Sequence, residues 1–186
     1  MKLKDCLPDA APYLPGCPTP MILRHLSDAA REFCRETHIW EEEIPPVYPV
    51  EGVTRYQLDL PEEAEILSVK SATQGDESPE LSINVFGVLK LHQAPENTTK
   101  PIEVEAILQP VLGAEGIAGR ILGDYREGIV QGALYRLLLM PNADWSNPEL
   151  ATLCQRRFRE SVVDARTRKA RGNTDRPMRV RPQPFL

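Results

Sequence analysis

The chain is poor in aromatic residues, which make up 6% of it, and it holds no long apolar run. The first shortage removes the ring surfaces on which proteins stack single-stranded nucleic acid. The second excludes a membrane-spanning helix, which needs roughly 20 consecutive apolar residues. Met1-Lys2-Leu3-Lys4-Asp5-Cys6 leads into prolines and not into the apolar core of a signal peptide, so a cytoplasmic setting is expected. The four cysteines, at 6, 17, 34 and 154, show no CxxC spacing, and Cys34 and Cys154 fall on apolar helix faces where a reduced, buried thiol is the default. Catalytic signatures are missing too: there is no glycine-rich phosphate loop, no GxSxG and no HExxH. Cys34 and His38 have the i, i+4 spacing that sets two metal ligands, or a thiol and a base, side by side, but Cys6, Cys17, His92 and Cys154 are not paired at ligand spacing. Glu41-Glu42-Glu43 and Glu62-Glu63 are adjacent carboxylates, yet neighbours in a strand or turn point apart, which suits a solvated face better than paired acid and base work. No enzyme, metal or cofactor is expected.

What is present is a chain of 186 residues, 41% hydrophobic and 26% charged, long enough for one domain with a sizeable core or one domain with an insertion. Its net charge of -5 hides a strong asymmetry. The first 119 residues hold 9 Lys and Arg against 20 Asp and Glu, whereas the segment from Arg120 onward holds 13 against 7. An acidic face repels nucleic acid, and a basic end seeks an acidic partner.

The chain is organised around a helical hairpin, 118–140 and 148–171. In its first arm Leu122, Tyr125, Ile129, Ala133, Leu137 and Met140 form one apolar stripe at helical spacing, and in its second Leu150, Cys154, Phe158, Ser161, Val162 and Ala165 do the same. Between them Pro141-Asn142-Ala143-Asp144-Trp145-Ser146-Asn147 breaks the helix and restarts it, either with Ser146 and Glu149 as a capping box or with Asn147 as cap before Pro148. So short a connection makes the arms antiparallel. Gly128 and Gly132 each cost about 1 kcal/mol against alanine inside a helix, so another backbone is expected close by, from within the chain or from a neighbouring subunit.

A third helix opens with Thr19 as cap and Pro20 as first residue and runs to about Thr37, with Leu23, Leu26, Ala30, Phe33 and Thr37 on one face. After Trp40 the period shortens to two. Segments 53–60, 64–71, 81–91 with a bend at Gly87, and 101–108 read as half-buried strands. This middle region carries 15 acidic residues against 4 basic ones between Glu41 and Glu115. The expected fold is α+β: an antiparallel bundle of three main helices with an inserted small antiparallel β-sheet and an extended C-terminal tail. Its divisions fall at 1–40, 41–117, 118–171 and 172–186. In the last of these, Pro177, Pro182 and Pro184 forbid a helix and favour an extended chain, Arg176, Arg179 and Arg181 can fork onto acidic groups, and Phe185 and Leu186 suit a groove.

Several of these stretches together carry a family likeness. Tyr13-Leu14-Pro15-Gly16-Cys17-Pro18, then Asp28-Ala29-Ala30-Arg31-Glu32-Phe33-Cys34 with Trp40, then Gly132 through Asn142, Trp145-Ser146-Asn147-Pro148, Phe158 and Ala165-Arg166 resemble the head-to-tail adaptor (connector) proteins of tailed bacteriophages. The resemblance implies a structural protein of the virion neck, assembled in the host cytoplasm as a ring commonly of twelve subunits. Such a ring sits beneath the portal protein, with C-terminal tails reaching into the portal and the lower face receiving the next tail component: a stopper, tail terminator or nozzle. In that setting Arg176, Arg179, Arg181, Phe185 and Leu186 would dock on the portal, and Gly128 and Gly132 would serve the subunit interface. Glu41, Glu42, Glu43, Glu62, Glu63 and Glu65 would line a channel through which DNA passes without specific binding. Two alternatives stand beside it. One is another ring component of the neck, a stopper or tail terminator. The other is a nucleic-acid-binding module using the basic C-terminal helix and tail, through Arg156, Arg157, Arg159, Arg166, Arg168, Lys169 and Arg171.

Overall fold

The computed structural model describes residues 1–75, 77–95 and 100–172. Among the described residues there are four α-helices, α1 Leu7–Ala10, α2 Thr19–Thr37, α3 Gly119–Leu138 and α4 Pro148–Ala170. The strands are β1 Glu41–Val47, β2 Arg55–Gln57, β3 Ala64–Gln74, β4 Leu81–Ile83, β5 Val88–Leu91 and β6 Ile102–Pro110. They form two antiparallel sheets of three strands each, in the orders β1-β6-β3 and β2-β5-β4. This corrects the expected three-helix bundle with one small inserted sheet. The reason lies in β6, whose residues from Ala106 to Pro110 are all buried because α2 packs against this strand. The first sheet is therefore a wall of the main core. The short strands make a second sheet because the chain reverses at Asn84–Gly87, where the Asn84 side chain accepts from the amides of Phe86 (3.0 Å) and Val88 (2.8 Å) and Gly87 takes φ 78°. The bend expected inside one strand is thus the turn of a hairpin.

Strand β1 carries no alternating signal, since three glutamates and two prolines occupy five of its seven positions. It pairs with β6 from Glu41 opposite Ile107 to Val47 opposite Ile102, and the register shifts between Ile44 and Val47, where Pro45 and Pro46 sit. Prolines lack the amide hydrogen a ladder needs and are tolerated at such an edge. At the N-terminus, Met1 donates to the Ile117 carbonyl at 2.9 Å and Leu3 to that of Glu115 at 2.8 Å, which ties the first residues to the entry of α3. Helix α2 starts one residue earlier than its sequence implies. Pro18 is the extended cap residue whose carbonyl accepts the first helical bond, and Thr19 already lies inside the helix. At the other end His38, at φ 52°, closes the helix by donating its amide to Cys34.

The hairpin is present with its cap resolved in favour of Asn147, whose side chain accepts from the Leu150 amide at 3.0 Å, while Pro148 opens α4. Trp145 and Ser146 donate back to the carbonyls of Leu137 (3.2 Å) and Leu138 (3.3 Å), satisfying the last turn of α3. Helix α3 breaks at Tyr125, whose φ of -123° and ψ of 18° are not helical, and the Tyr125 ring lies 5.1 Å from that of Phe33 on α2. Phe33 also meets Phe158 of α4 edge-on at 6.2 Å, so one aromatic ring joins three helices.

Gly132 sits where these helices converge. A Cβ there would lie 2.7 Å from the Phe158 ring and 3.1 Å from the Cβ of Ala29. Gly128 is as tightly placed, 2.7 Å from the Cβ of Ser161. The space those glycines leave is filled by side chains of α4 and α2 of the same chain, and not by the neighbouring backbone that was expected. Replacing Gly132→Ala should therefore destabilise the protein by about 1–2 kcal/mol, because overpacking outweighs the gain in helix propensity. The midpoint of urea unfolding would measure it, and an unchanged or raised midpoint would refute the tight contact.

Candidate interaction surfaces

The six glutamates proposed for a channel begin or flank two strands of the first sheet, and four of them are engaged within the protein. Glu41 receives Lys169 at 2.7 Å and Lys70 at 3.4 Å. The hydrogen bond from Lys169, with both ammonium charges nearby, holds its carboxyl below the usual range. Glu42 lies 3.4 Å from Arg120 and accepts from the Trp40 indole at 3.3 Å. Glu63, in the left-handed conformation at φ 58°, takes the backbone amides of Glu115 (3.0 Å) and Gly116 (2.8 Å) and so clamps the loop leading to α3. Glu65 is well enclosed, its side chain 15% exposed. Arg31 of α2 reaches it at 2.5 Å and the carbonyl of Pro110 at 2.6 Å, while Gln109 donates to the same carboxylate oxygen at 2.7 Å. Helix α2 is thereby pinned to both β3 and β6. Glu43 and Glu62 have no side-chain partner among the described residues, although Glu43 faces Glu105 across the ladder. Lys70 bridges Glu105 at 2.7 Å and Glu41, which keeps that carboxylate group from repelling itself.

The basic residues of α4 divide in the same way. Arg166 pairs with Glu36 at 2.7 Å, Lys169 with Glu41, and Arg156 with Glu160 at 3.6 Å, while Arg168 lies over the Tyr125 ring at 6.0 Å from its centroid. Arg157 and Arg159 point outward, both exposed. Arg171 has an interaction of its own. The end of α4 thus rests against the end of α2 and the start of β1. Arg176, Arg179, Arg181, Phe185 and Leu186, the residues read as portal-docking, lie outside the described residues.

Gly128 and Gly132 are both buried. Gly128 also forms part of the floor of a polar groove between α3 and α4, of about 470 Å³, walled by Asp124, Glu127, Gln131, Arg157, Asp164 and Arg168. On another part of the surface, Lys2, Lys4 and Arg24 surround an apolar hollow of about 370 Å³ closed by Leu3, Leu23 and Ser27, with Glu115 at its edge. Neither surface was legible from spacing, because each is assembled from segments far apart in the chain. The Arg31–Glu65 pair was missed for the same reason. The cysteine and histidine spaced at i, i+4 do not form a working pair: Cys34 is fully buried, and burial pushes its thiol up to about 12, so it stays protonated. The two residues meet through the backbone, His38 donating its amide to the Cys34 carbonyl at 2.8 Å.

No protein-family model matches the chain, and no curated protein matches it.

Two measurements follow from this geometry. Arg31→Ala takes the cation from Glu65, leaving it only the Gln109 amide, and takes the arginine's hydrogen bond from the Pro110 carbonyl in a half-buried site, so unfolding free energy should fall by about 2–3 kcal/mol, read from chemical denaturation. A loss below the error of the measurement would show that solvent replaces the arginine. All four cysteines are free, and only Cys17 is not buried. Brief iodoacetamide treatment of the folded protein at mildly alkaline pH should label Cys17 first, as mapped by peptide mass; labelling of Cys34 at a similar rate would contradict its enclosure.

Proposed function

We propose that this protein is a head-to-tail adaptor of a tailed bacteriophage, forming a ring between the portal and the next component of the tail and carrying out no reaction. What supports the reading is the part played by the residues that carry the sequence resemblance. Phe33 joins α2 to Tyr125 and Phe158, Trp40 is buried at the passage from α2 to β1, and Asn147-Pro148 starts α4. These residues fix the hairpin and its seat on α2, as expected of a motif selected for shape and not for chemistry. The reading rests on them and not on the expected architecture. In this reading the tail beyond Gly172 engages the portal, with its arginines on acidic groups and Phe185 and Leu186 in a groove. The acidic sheet region lets DNA pass because it offers phosphates little to bind. Glu43 and Glu62 are the glutamates left to face passing DNA, since the other four are engaged internally. The internal pairing of Arg156, Arg166 and Lys169 weakens the rival nucleic-acid reading, because charges already neutralised contribute little to phosphate binding.

Co-sedimentation with the portal ring encoded by the same genome tests this directly, using the full chain and a chain ended after Gly172. Capture of the full chain and loss of the shortened one is the expected result. If neither sediments with the portal, the adaptor reading fails, and salt-dependent retardation of DNA by the full chain would put the nucleic-acid reading in its place.

A further inference from the structure

The two surfaces assembled from distant segments carry opposite charge. In the α3–α4 groove Asp124, Glu127 and Asp164 are exposed and have no ion-pair partner among the described residues. Beside them Gln131 is only 8% exposed, and its carboxamide oxygen finds no donor. An enclosed acceptor without a donor, set among unpaired carboxylates, calls for a cation that also donates hydrogen bonds. The opposite surface supplies that chemistry. Lys2, Lys4 and Arg24 are exposed and likewise unpaired among the described residues, around a hollow whose lining includes the buried Ser27.

The placement of the two surfaces follows from α3. Arg126 donates to Asp9 at 2.5 Å and to the Asp5 carbonyl, so its side of the helix faces the N-terminal segment that carries Lys2 and Lys4. Gly128 faces Ser161 of α4 and floors the groove. Two positions along a helix are about 200° around its axis, so the groove and the N-terminal segment flank α3 on opposite sides. One copy cannot bring its own two surfaces together.

We propose that copies of this chain meet head to tail, the acidic α3–α4 groove of one receiving the Lys2, Lys4 and Arg24 face of the next. Such a contact joins two different surfaces and so repeats, closing into a ring when the rotation per copy allows. It deepens the adaptor reading and rests on it for the closed ring. Arg157 and Arg168 flank the groove and limit the attraction to the carboxylate side, which helps to set the register of the contact.

Charge exchange tests it. One variant carries Glu127→Lys with Asp164→Lys, and the other carries Lys2→Glu with Lys4→Glu; all four side chains are exposed. In sedimentation velocity the wild-type chain should associate, and should do so less in about 0.5 M salt. Each variant alone then presents like charges to itself and should associate about tenfold or more weakly. An equimolar mixture should regain assembly, because the reversed groove of one matches the reversed face of the other and both remaining surfaces are native. Recovery on mixing also shows that neither variant is misfolded. The proposal is overturned if the wild type stays monomeric at the highest soluble concentration or if either variant associates like the wild type. It also falls if the mixture stays monomeric while both variants keep the wild-type circular dichroism and melting curve. Self-association with no capture by the portal would remove the adaptor reading and leave this contact standing. Capture by the portal with variants that self-associate normally would do the reverse.

Discussion

The structure depends on a single close contact, the ring of Phe158 lying on the bare backbone of Gly132 with the methyl of Ala29 behind it. Because no side chain stands at 132, α4 approaches α3 and α2 closely enough for Phe33 to touch both Tyr125 and Phe158. Dispersion forces fall off within an ångström or so of added separation, so this approach sets how well the whole helical layer packs. It also aims the far end of α4. Once the helix is seated there, Arg166 and Lys169 arrive at Glu36 and Glu41, joining the hairpin to the end of α2 and to the first strand.

Helices α2 and α4 were legible in the sequence because each buries one stripe, and a stripe repeats at 3.6 residues whatever it packs against; α3 showed a stripe too, although residues 128 to 134 are buried on every side. Their ends were legible where a side chain or proline acts locally, as at Asn147 and Pro148, and were off by one residue at Thr19, where the preceding proline's carbonyl takes the first bond. The sheets were harder. Strand β6 is buried at seven of its nine positions and its extent was nearly right, yet nothing in its own residues says that α2 covers it. Strand β1 buries only Ile44 fully, is otherwise held by pairing and by cations on Glu41 and Glu42, and contains the residues least suited to strands. Strands β2, β4 and β5 are only three or four residues long, too short to display a period, so one bent strand was read where a hairpin stands.

The glutamates show a different limit. Their number announced an acidic region correctly, but a count of charges says nothing of partners separated by dozens of residues. Arg31 reaches Glu65 across 34 positions and Lys169 reaches Glu41 across more than a hundred. Much of the asymmetry visible along the chain is therefore spent in the folded protein on joining its acidic part to its basic part. What remains at the surface is a smaller, patterned charge, which acts on partners over about a Debye length and is tuned by salt.

The prolines of β1 have a consequence for how copies can come together. An exposed strand edge is an invitation to endless hydrogen bonding with another chain, the route by which crowded proteins turn into fibres. At Pro45 and Pro46 that edge has no amide hydrogen to give, and the glutamates before them repel their counterparts. Strand pairing along this edge is discouraged, and contact made there would run through side chains. A sheet edge guarded in this way resists adding strand to strand when the protein is crowded.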